Sequence, residues 1–198
     1  MSAVAPVLDH DIHQYTLEGK PLTSVSRVLD AIIKKSFEGV DPEILRNAAE
    51  RGKLVEAHAT VWMSTGGVVA VNERTDVLER LECFGRFMDH KKPKLLSAQQ
   101  LVWDAEQGIA GMLDFILEID RSEWLVDMKV TAQPEASWAL QVGAYCELSR
   151  HSGPSAVLHI NPKYKEGYIW RVYDTAAVKR QWRAALAWFK VLTELKAE

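Results

Sequence analysis

The chain has 198 residues, of which 47% are hydrophobic and 26% charged, a balance that fits one compact globular domain with a substantial core. This composition excludes a disordered chain and a small scaffold fold. The formal net charge of -3 gives no global support for nucleic-acid binding, so any such surface must be local. Candidate surfaces are the lysine-rich segments 91–94 and 163–165. An ordinary solvated loop explains each segment at least as well as a nucleic-acid contact does.

Cysteine usage and the N-terminal residues indicate the cellular compartment of the protein. Cys83 and Cys146 do not form a C-x-x-C pair, which argues against a cysteine-based zinc or iron–sulfur site and predicts reduced thiols. Asp9, His10 and Asp11 stand where a signal peptide would need an apolar core, and no apolar run approaches membrane-spanning length. We therefore expect a cytoplasmic protein with no membrane contact.

The N-terminal residues 1–40 predict an arm followed by a helix. Tyrosine, glycine and proline are mixed over residues 13–28, as in a short hairpin or an extended arm. Ser24 or Ser26 would cap a helix over residues 28–37, because a serine hydroxyl accepts a hydrogen bond from a free N–H of the first turn.

Two longer helices are predicted next. Asp41 is a good N-cap with Pro42 at the first helical position, and apolar residues at helical spacing follow as far as about Met63. The glycines at 66–67 end that helix. Apolar residues recur at the same spacing over residues 75–90, which predicts the second helix.

From Pro93 onward the apolar pattern changes from helical spacing to strands. Three strands are predicted over residues 95–104, 109–119 and 123–131. The turn at 120–122 makes the last two an antiparallel hairpin. The rest of the chain predicts a helix over about 134–150, strands over 156–160 and 168–172, and an amphipathic helix capped by Asp174.

This order of elements predicts a mixed α/β fold in which helices flank a central mixed β-sheet. No repeat, low-complexity tract or convincing linker interrupts the chain, so we expect a single domain over residues 1–198. Within it, residues 41–175 would form the core, and residues 175–198 the C-terminal amphipathic helix.

Two acidic residues interrupt the apolar strands of the predicted hairpin. Asp114 lies within the run 112–117, Asp127 follows the run 124–126, and Lys129 comes two residues later. A charge in a buried strand is costly unless it is paired or bound to a metal. Because strand alternation sends Asp127 and Lys129 to the same face, the two carboxylates and the lysine could hold a divalent cation beside a water.

Four motifs, R-G-K-L-V-E-A-H, G-M-L-D, D-M-K and Q-V-G-A-Y, begin at residues 51, 111, 127 and 141. In order and context they resemble RecB-like members of the PD-(D/E)XK nuclease superfamily and nucleases encoded by many bacteriophages. The resemblance spans roughly residues 13–175. A single motif such as D-x-K occurs by chance in many proteins, whereas four in the same order are fairly specific.

The resemblance implies a restriction-endonuclease-like core with the order α-β-β-β-α-β and a site for Mg²⁺ or Mn²⁺. Its ligands would be the carboxylates of Asp114 and Asp127, the backbone carbonyl of Met128 and the imidazole of His58. Hard cations prefer oxygen ligands, and an imidazole nitrogen favours Mn²⁺ somewhat more than an all-oxygen shell does. Taken alone, His58 is more often an ordinary core or helix-face histidine.

Lys129, Gln141 and Tyr145 complete the implied catalytic set. The Lys129 ammonium would orient the attacking water and offset charge on the phosphate, or a neutral lysine would act as general base. Gln141 and Tyr145 are four residues apart and share a helix face that looks onto the metal in the resembling nucleases. Gln141 would brace the lysine, the water or the DNA backbone, and Tyr145 the phosphate. Taken singly, each of these three residues is also typical of an ordinary strand or helix surface.

The resemblance implies a metal-dependent DNA exonuclease of phage or prophage recombination, replication or DNA processing, acting in the cytoplasm of a bacterium or a phage-infected cell. Its partner would be DNA, with a homo-oligomer and a recombination or replication protein as further partners. Two alternatives remain. One is a catalytically silent module of the same fold that binds DNA or a protein. The other is an endonuclease such as a junction resolvase or a restriction-type enzyme.

The sequence departs from the family where many members carry a glutamate before the G-x-x-D segment. The equivalent stretch, residues 97–101, reads S-A-Q-Q-L, and we expect Gln100 to leave the site one ligand short. Glu56 is two positions from His58 and therefore about 200° away around the helix, which makes it a poor expected substitute.

Overall fold

The computed structural model describes residues 5–9, 14–33, 39–67 and 73–195. The first elements in these ranges are β1 (Val7–Asp9), β2 (Gln14–Leu17), β3 (Lys20–Ser24), α1 (Val25–Ile32), α2 (Pro42–Thr65) and α3 (Thr75–Lys91). They are followed by β4 (Lys94–Asp104), β5 (Ile109–Ile119), β6 (Ser122–Lys129), α4 (Ser137–Leu148), β7 (Ser155–Ile160), β8 (Tyr168–Tyr173) and α5 (Thr175–Glu194).

The described strands form one mixed sheet in the order β1-β2-β3-β5-β6-β7-β8, with β4 paired to β5. Pairing is parallel between β3 and β5 and between β6 and β7, and antiparallel elsewhere. A parallel pair needs a crossover connection, which α4 supplies for β6 and β7. The predicted α/β fold is confirmed, and α3-β4-β5-β6-α4-β7 has the predicted order α-β-β-β-α-β.

One edge of β5 is shared by two strands. Near the start of β5, Ile109 and Ala110 pair with β3, and farther along residues 115–119 pair with β6. β4 runs along the whole opposite edge. The described ladders leave residues 111–114 without a strand partner on the shared edge, so the sheet forks at this point.

Apolar side chains cover both faces of the sheet. Helices α1, α4 and α5 pack on one face, and α2 and α3 pack on the other. Val126 and Met128 of β6 belong to the α2–α3 cluster, whereas Leu125 belongs to the α4–α5 cluster. Because side chains alternate along a strand, Asp127 and Lys129 face the side that α4 covers.

The N-terminal helix differs from its predicted bounds. Ser24 rather than Ser26 is the cap, since the N–H of Arg27 donates to Ser24 Oγ at 3.1 Å. The helix therefore starts at Val25, three residues earlier than predicted. Residues 34–37 of the predicted helix lie outside the described residues. No helix in the described ranges is long and apolar enough to cross a membrane.

Candidate active site at the fork of the sheet

Asp114 and Asp127 stand where β5 and β6 separate. The last β5–β6 pair on this side is Phe115 with Val126. Beyond it, the N–H of Met128 donates to Asp114 Oδ2 at 2.7 Å rather than to a carbonyl of β5. A side-chain hydrogen bond thus replaces the ladder and ties the two acid-bearing strands together.

Asp127 is fully buried. Its Oδ2 lies 2.6 Å from Lys129 Nζ. Its Oδ1 is buried and has no hydrogen-bond partner among the described residues. Burial raises the pKa of Asp127, and the Lys129 ammonium opposes that rise. A buried carboxylate oxygen without a partner is costly, so Asp127 is suited to accept a cation.

Asp114, Asp127 and Glu56 act on one another electrostatically. Burial, followed by the charges of Asp127 and Glu56, raises the pKa of Asp114 well above its ordinary value. Burial also raises the pKa of Glu56, and the charge of Asp127 raises it further. A hydrogen bond from Gln99 acts in the opposite direction. Glu56 therefore belongs to the same charged site as the two aspartates.

Lys129 is held in its charged form. Burial acts to lower the pKa of Lys129, but the carboxylates of Asp127 and Asp114 outweigh burial, and the net shift is upward. Lysine normally titrates near pH 10.4, so this side chain is an ammonium at neutral pH. Of the two roles expected for it, the arrangement favours the cation over the neutral base.

A cavity of about 670 Å³ opens between α2 and the strands β4 and β5. Its lining includes Lys53, Glu56 and Thr60 of α2 together with Asp114 of β5. These helix positions recur at intervals of three and four residues, so they share one helix face. Lys53 is the only lysine or arginine among the described residues that line this cavity.

His58 points away from this cavity. Its Nε2 lies 2.9 Å from Glu73 Oε1, and it is not among the described residues that line the cavity beside Asp114. Glu56, about 200° from His58 around an ideal helix, lines this cavity together with Asp114. The expectation that Glu56 is a poor substitute assumed that the His58 face meets the acids, whereas α2 turns the Glu56 face towards β4 and β5.

The residue of β4 opposite Asp114 is Gln99 rather than Gln100. The ladder pairs Ala98 and Gln100 with the residues on either side of Asp114. Gln99 has a φ of 49°, an uncommon conformation for a residue with a Cβ, and its amide donates a hydrogen bond to Glu56. Gln100 instead lines a separate cavity of about 540 Å³. The acid nearest to Asp114 in this cavity is thus Glu56 of α2 rather than a residue of β4.

Helix α4 brings Gln141 and Tyr145 to the same region. Gln141 Nε2 donates to Tyr145 Oη at 3.1 Å. Tyr145 packs on β5 at Gly111, where an added Cβ would lie 2.9 Å from Tyr145 Cε1. Burial, followed by the charges of Asp127 and Asp114, raises the pKa of Tyr145 well above its ordinary value. The glycine of the G-M-L-D motif is therefore needed for the tyrosine to approach the acids.

A second cavity, of about 240 Å³, lies on the Lys129 side of the site. Ser26 of α1, Thr131 and Gln141 line it together with Lys129. The predicted catalytic residues Asp114, Asp127, Lys129, Gln141 and Tyr145 are thus brought to one region, whereas the predicted ligand His58 is engaged by Glu73.

The donor set suits a hard divalent cation. No three His, Cys, Asp or Glu side chains within the described ranges form a ready-made metal cluster. Asp114 and Asp127 nevertheless supply carboxylate oxygens, and the unpartnered Oδ1 of Asp127 is an acceptor of the kind that Mg²⁺ and Mn²⁺ prefer. The carbonyl of Met128 stays a predicted ligand.

No family model matches the sequence, and no curated protein matches it significantly. Among solved structures, the chain is similar to an alkaline exonuclease (LHK-Exo) from Laribacter hongkongensis, with 13% identity, a TM-score of 0.49 and coverage of 89% of this chain and 88% of that one. It is also similar to LHK-Exo in complex with dAMP, with 14% identity, a TM-score of 0.47 and the same coverage of 89% and 88%.

Proposed function

We propose that this protein is a divalent-metal-dependent DNA nuclease, with Asp114, Asp127 and Lys129 at its centre. The observation that carries the proposal is the buried Asp127, whose Oδ1 lacks a partner among the described residues and whose Oδ2 lies 2.6 Å from Lys129 Nζ. Two further acids, Asp114 and Glu56, add negative charge beside it. Folding tolerates such mutual repulsion where function requires it, as at sites that bind a cation.

The metal would be held by carboxylate oxygens of Asp114 and Asp127, with Glu56 as the third acidic group. When bound, Mg²⁺ or Mn²⁺ supplies a hydroxide at neutral pH and shields the charge of the phosphate. Glu56 fits this set better than His58 does, because Glu56 lines the cavity with Asp114 while His58 is paired with Glu73.

Lys129, Gln141 and Tyr145 would act on the water and the phosphate. The Lys129 ammonium donates hydrogen bonds, so it can orient the attacking water and offset negative charge that develops on the phosphate. The neutral Tyr145 hydroxyl, held by Gln141, can donate to a phosphate oxygen. Each role uses a protonation state that the surrounding charges favour.

End-directed cleavage is the form of this activity that we propose. The cavity beside Lys129 has a volume of about 240 Å³, below the range of about 300–1,000 Å³ typical of small-molecule pockets, and we propose that it receives a strand end rather than a duplex. The larger cavity beside Asp114, of about 670 Å³, would receive the rest of the strand. An exonuclease of phage-type recombination, replication or DNA processing fits this arrangement.

The decisive test compares linear with covalently closed circular DNA in the presence of Mg²⁺, Mn²⁺ or EDTA. The proposal expects cation-dependent degradation of linear DNA and survival of the circles. Degradation of the circles would support an endonuclease. DNA binding without any cleavage would support a catalytically silent module, and cleavage that persists in EDTA would reject the metal site.

Glu56→Gln and His58→Ala separate the two candidate third ligands. We expect Glu56→Gln to lower the cleavage rate about 10- to 100-fold, because it removes a charge that faces Asp114. His58→Ala should leave the rate nearly unchanged, since this substitution removes only the pair with Glu73. Initial rates at saturating Mn²⁺ measure both effects. The opposite order of losses would restore His58 as the ligand.

Lys53→Ala should weaken DNA binding without lowering the rate at saturating DNA. Lys53 is exposed and is the lone cation among the described lining residues of the large cavity, where it is suited to contact a backbone phosphate. The slope of log affinity against log salt should become less steep by about 0.7–0.9, the effect of one lost phosphate contact. Lys20→Ala, at an exposed lysine of β3 that is not among the described residues lining this cavity, is the matched control. Equal slopes for the two variants would contradict this role.

A further inference from the structure

A buried histidine lies directly beside Lys129 in the sheet. His159 of β7 pairs with Lys129 of β6 in the parallel ladder, and its side chain is fully buried. Buried polar groups need hydrogen-bond partners, so the contacts of this imidazole define what it holds in place.

Both ring nitrogens of His159 have a partner. Nε2 lies 2.8 Å from the carbonyl oxygen of Thr131, and Nδ1 lies 2.9 Å from Tyr164 Oη. A carbonyl oxygen only accepts, so Nε2 carries the proton and donates to Thr131. In the neutral ring Nδ1 then accepts from the Tyr164 hydroxyl. Burial lowers the pKa of His159, which keeps the ring neutral.

Asn161 reinforces the same contact. Its Nδ2 donates to the carbonyl oxygen of Ala132 at 3.2 Å and lies 3.5 Å from that of Thr131. The indole of Trp138, at the start of α4, packs edge-on against the His159 ring with 4.7 Å between ring centroids. His159 and Asn161 therefore hold both the segment that leaves β6 and the start of the helix that follows.

The held segment is the link between the two halves of the proposed site. Residues 130–136 have no regular secondary structure and connect β6, which carries Asp127 and Lys129, to α4, which carries Gln141 and Tyr145. Carbonyls in such a segment are not satisfied by a ladder, so side chains, water or other backbone groups bind them.

We propose that His159 and Asn161 form a neutral clamp that fixes residues 130–136 and thereby positions Lys129 and Gln141 for the reaction. His159 is a positioning residue here, because it contacts the segment and not the reacting groups. The catalytic half of this inference rests on the proposed nuclease function, whereas the structural half does not.

The test compares His159→Leu, which removes the donor, with His159→Gln, whose amide retains one. Two readouts are used: hydrogen exchange of the 130–136 amides, and kcat and KM on linear DNA with Mn²⁺. We expect His159→Leu to speed exchange about 10-fold, the scale of one lost buried hydrogen bond. We also expect kcat to fall about 10- to 100-fold with little change in KM. His159→Gln should restore part of both.

The matched control is His151→Leu. His151 is also buried, and its Nε2 lies 3.0 Å from the carbonyl oxygen of Pro154, but it does not contact residues 130–136. This variant should lose thermal stability without changing exchange of the segment or kcat. If His159→Leu does not fold, Asn161→Ala removes the second donor and should show the same two effects at smaller size.

Each outcome bears on a different part of the proposal. A folded His159→Leu with wild-type exchange in residues 130–136 would overturn the clamp, whatever its activity. Faster exchange with unchanged kcat would overturn the positioning role. A wild-type protein that cleaves no DNA would reject the nuclease function, and the exchange measurement would still decide the clamp.

Discussion

Asp114→Asn should abolish DNA cleavage and leave the fold intact. The substitution removes one of the two carboxylates proposed to hold the metal, and a metal ion contributes several kcal/mol to stabilising the transition state. A loss of about 4 kcal/mol corresponds to a rate about 1000-fold lower. Single-turnover digestion of end-labelled linear DNA with saturating Mn²⁺ measures the loss.

The same substitution should not destabilise the protein. An asparagine oxygen can still accept the hydrogen bond that the Met128 N–H donates to Asp114. Removal of one charge also relieves the repulsion among Asp114, Asp127 and Glu56. Without divalent cations at pH 8, we therefore expect a Tm equal to or above that of the wild type.

Asp120→Asn makes the same chemical change at the exposed turn between β5 and β6 and serves as the control. Asp120 has a φ of 50°, a conformation that asparagine also tolerates well. The control should keep wild-type activity. If Asp114→Asn retained comparable activity, the carboxylate at this position would not be a metal ligand.

Periodicity was sufficient to predict most elements of the fold. The strand predicted over residues 109–119 matches β5, and the helix predicted over residues 75–90 matches α3 to within one residue. These elements have long apolar patterns, so their signal is contained in their own residues. The placement of Asp114 and Asp127 on the two neighbouring strands of one hairpin follows from the same local information.

The ends of β6 and α4 could not be predicted in the same way. Strand β6 ends at Lys129, two residues before the predicted end, and α4 begins at Ser137. The apolar pattern continues through Val130, but β6 ends at Lys129, and the carbonyl of Thr131 is bound by His159, 28 residues later, rather than by a ladder partner. A tertiary contact at that separation has no signature in the local sequence.

Glu56 was missed for a related reason. Lys53, Glu56 and Thr60 have the spacing of one helix face, and that signal was present in the sequence. Which face of α2 meets β5 depends on how the helix packs, and the motif resemblance favoured the face of His58 instead. The left-handed conformation of Gln99, whose amide donates a hydrogen bond to Glu56, also has no signature in the apolar pattern of the sequence.

The acidic cluster should make stability depend on pH in a direction opposite to that of a salt-bridged carboxylate. The folded-state pKa values of Asp114, Asp127 and Glu56 are raised above their ordinary values. The stability contributed by their protonated forms is therefore fully present below those ordinary values and is lost as pH rises through the folded-state values. Above those folded-state values, the cation-free protein carries the whole repulsion.

Divalent cations should therefore raise the Tm, and more so at pH 8 than at pH 5, because only ionised carboxylates bind metal. At a concentration about 100 times Kd, binding stabilises the folded state by about 2.7 kcal/mol. For a chain of this size that corresponds to a Tm rise of about 5–10 °C. Thermal unfolding with Mg²⁺, Mn²⁺ or EDTA measures the rise at both pH values.

The control for this measurement is the double variant with Asp114→Asn and Asp127→Asn, which should show almost no response to the cation at either pH. If its Tm rose as much as that of the wild type, the cation would be acting at another surface. If the wild-type response were larger at pH 5, the acids would not be the ligands. The response therefore tests the metal site without relying on cleavage, so it stays informative even for a protein that binds DNA and leaves it intact.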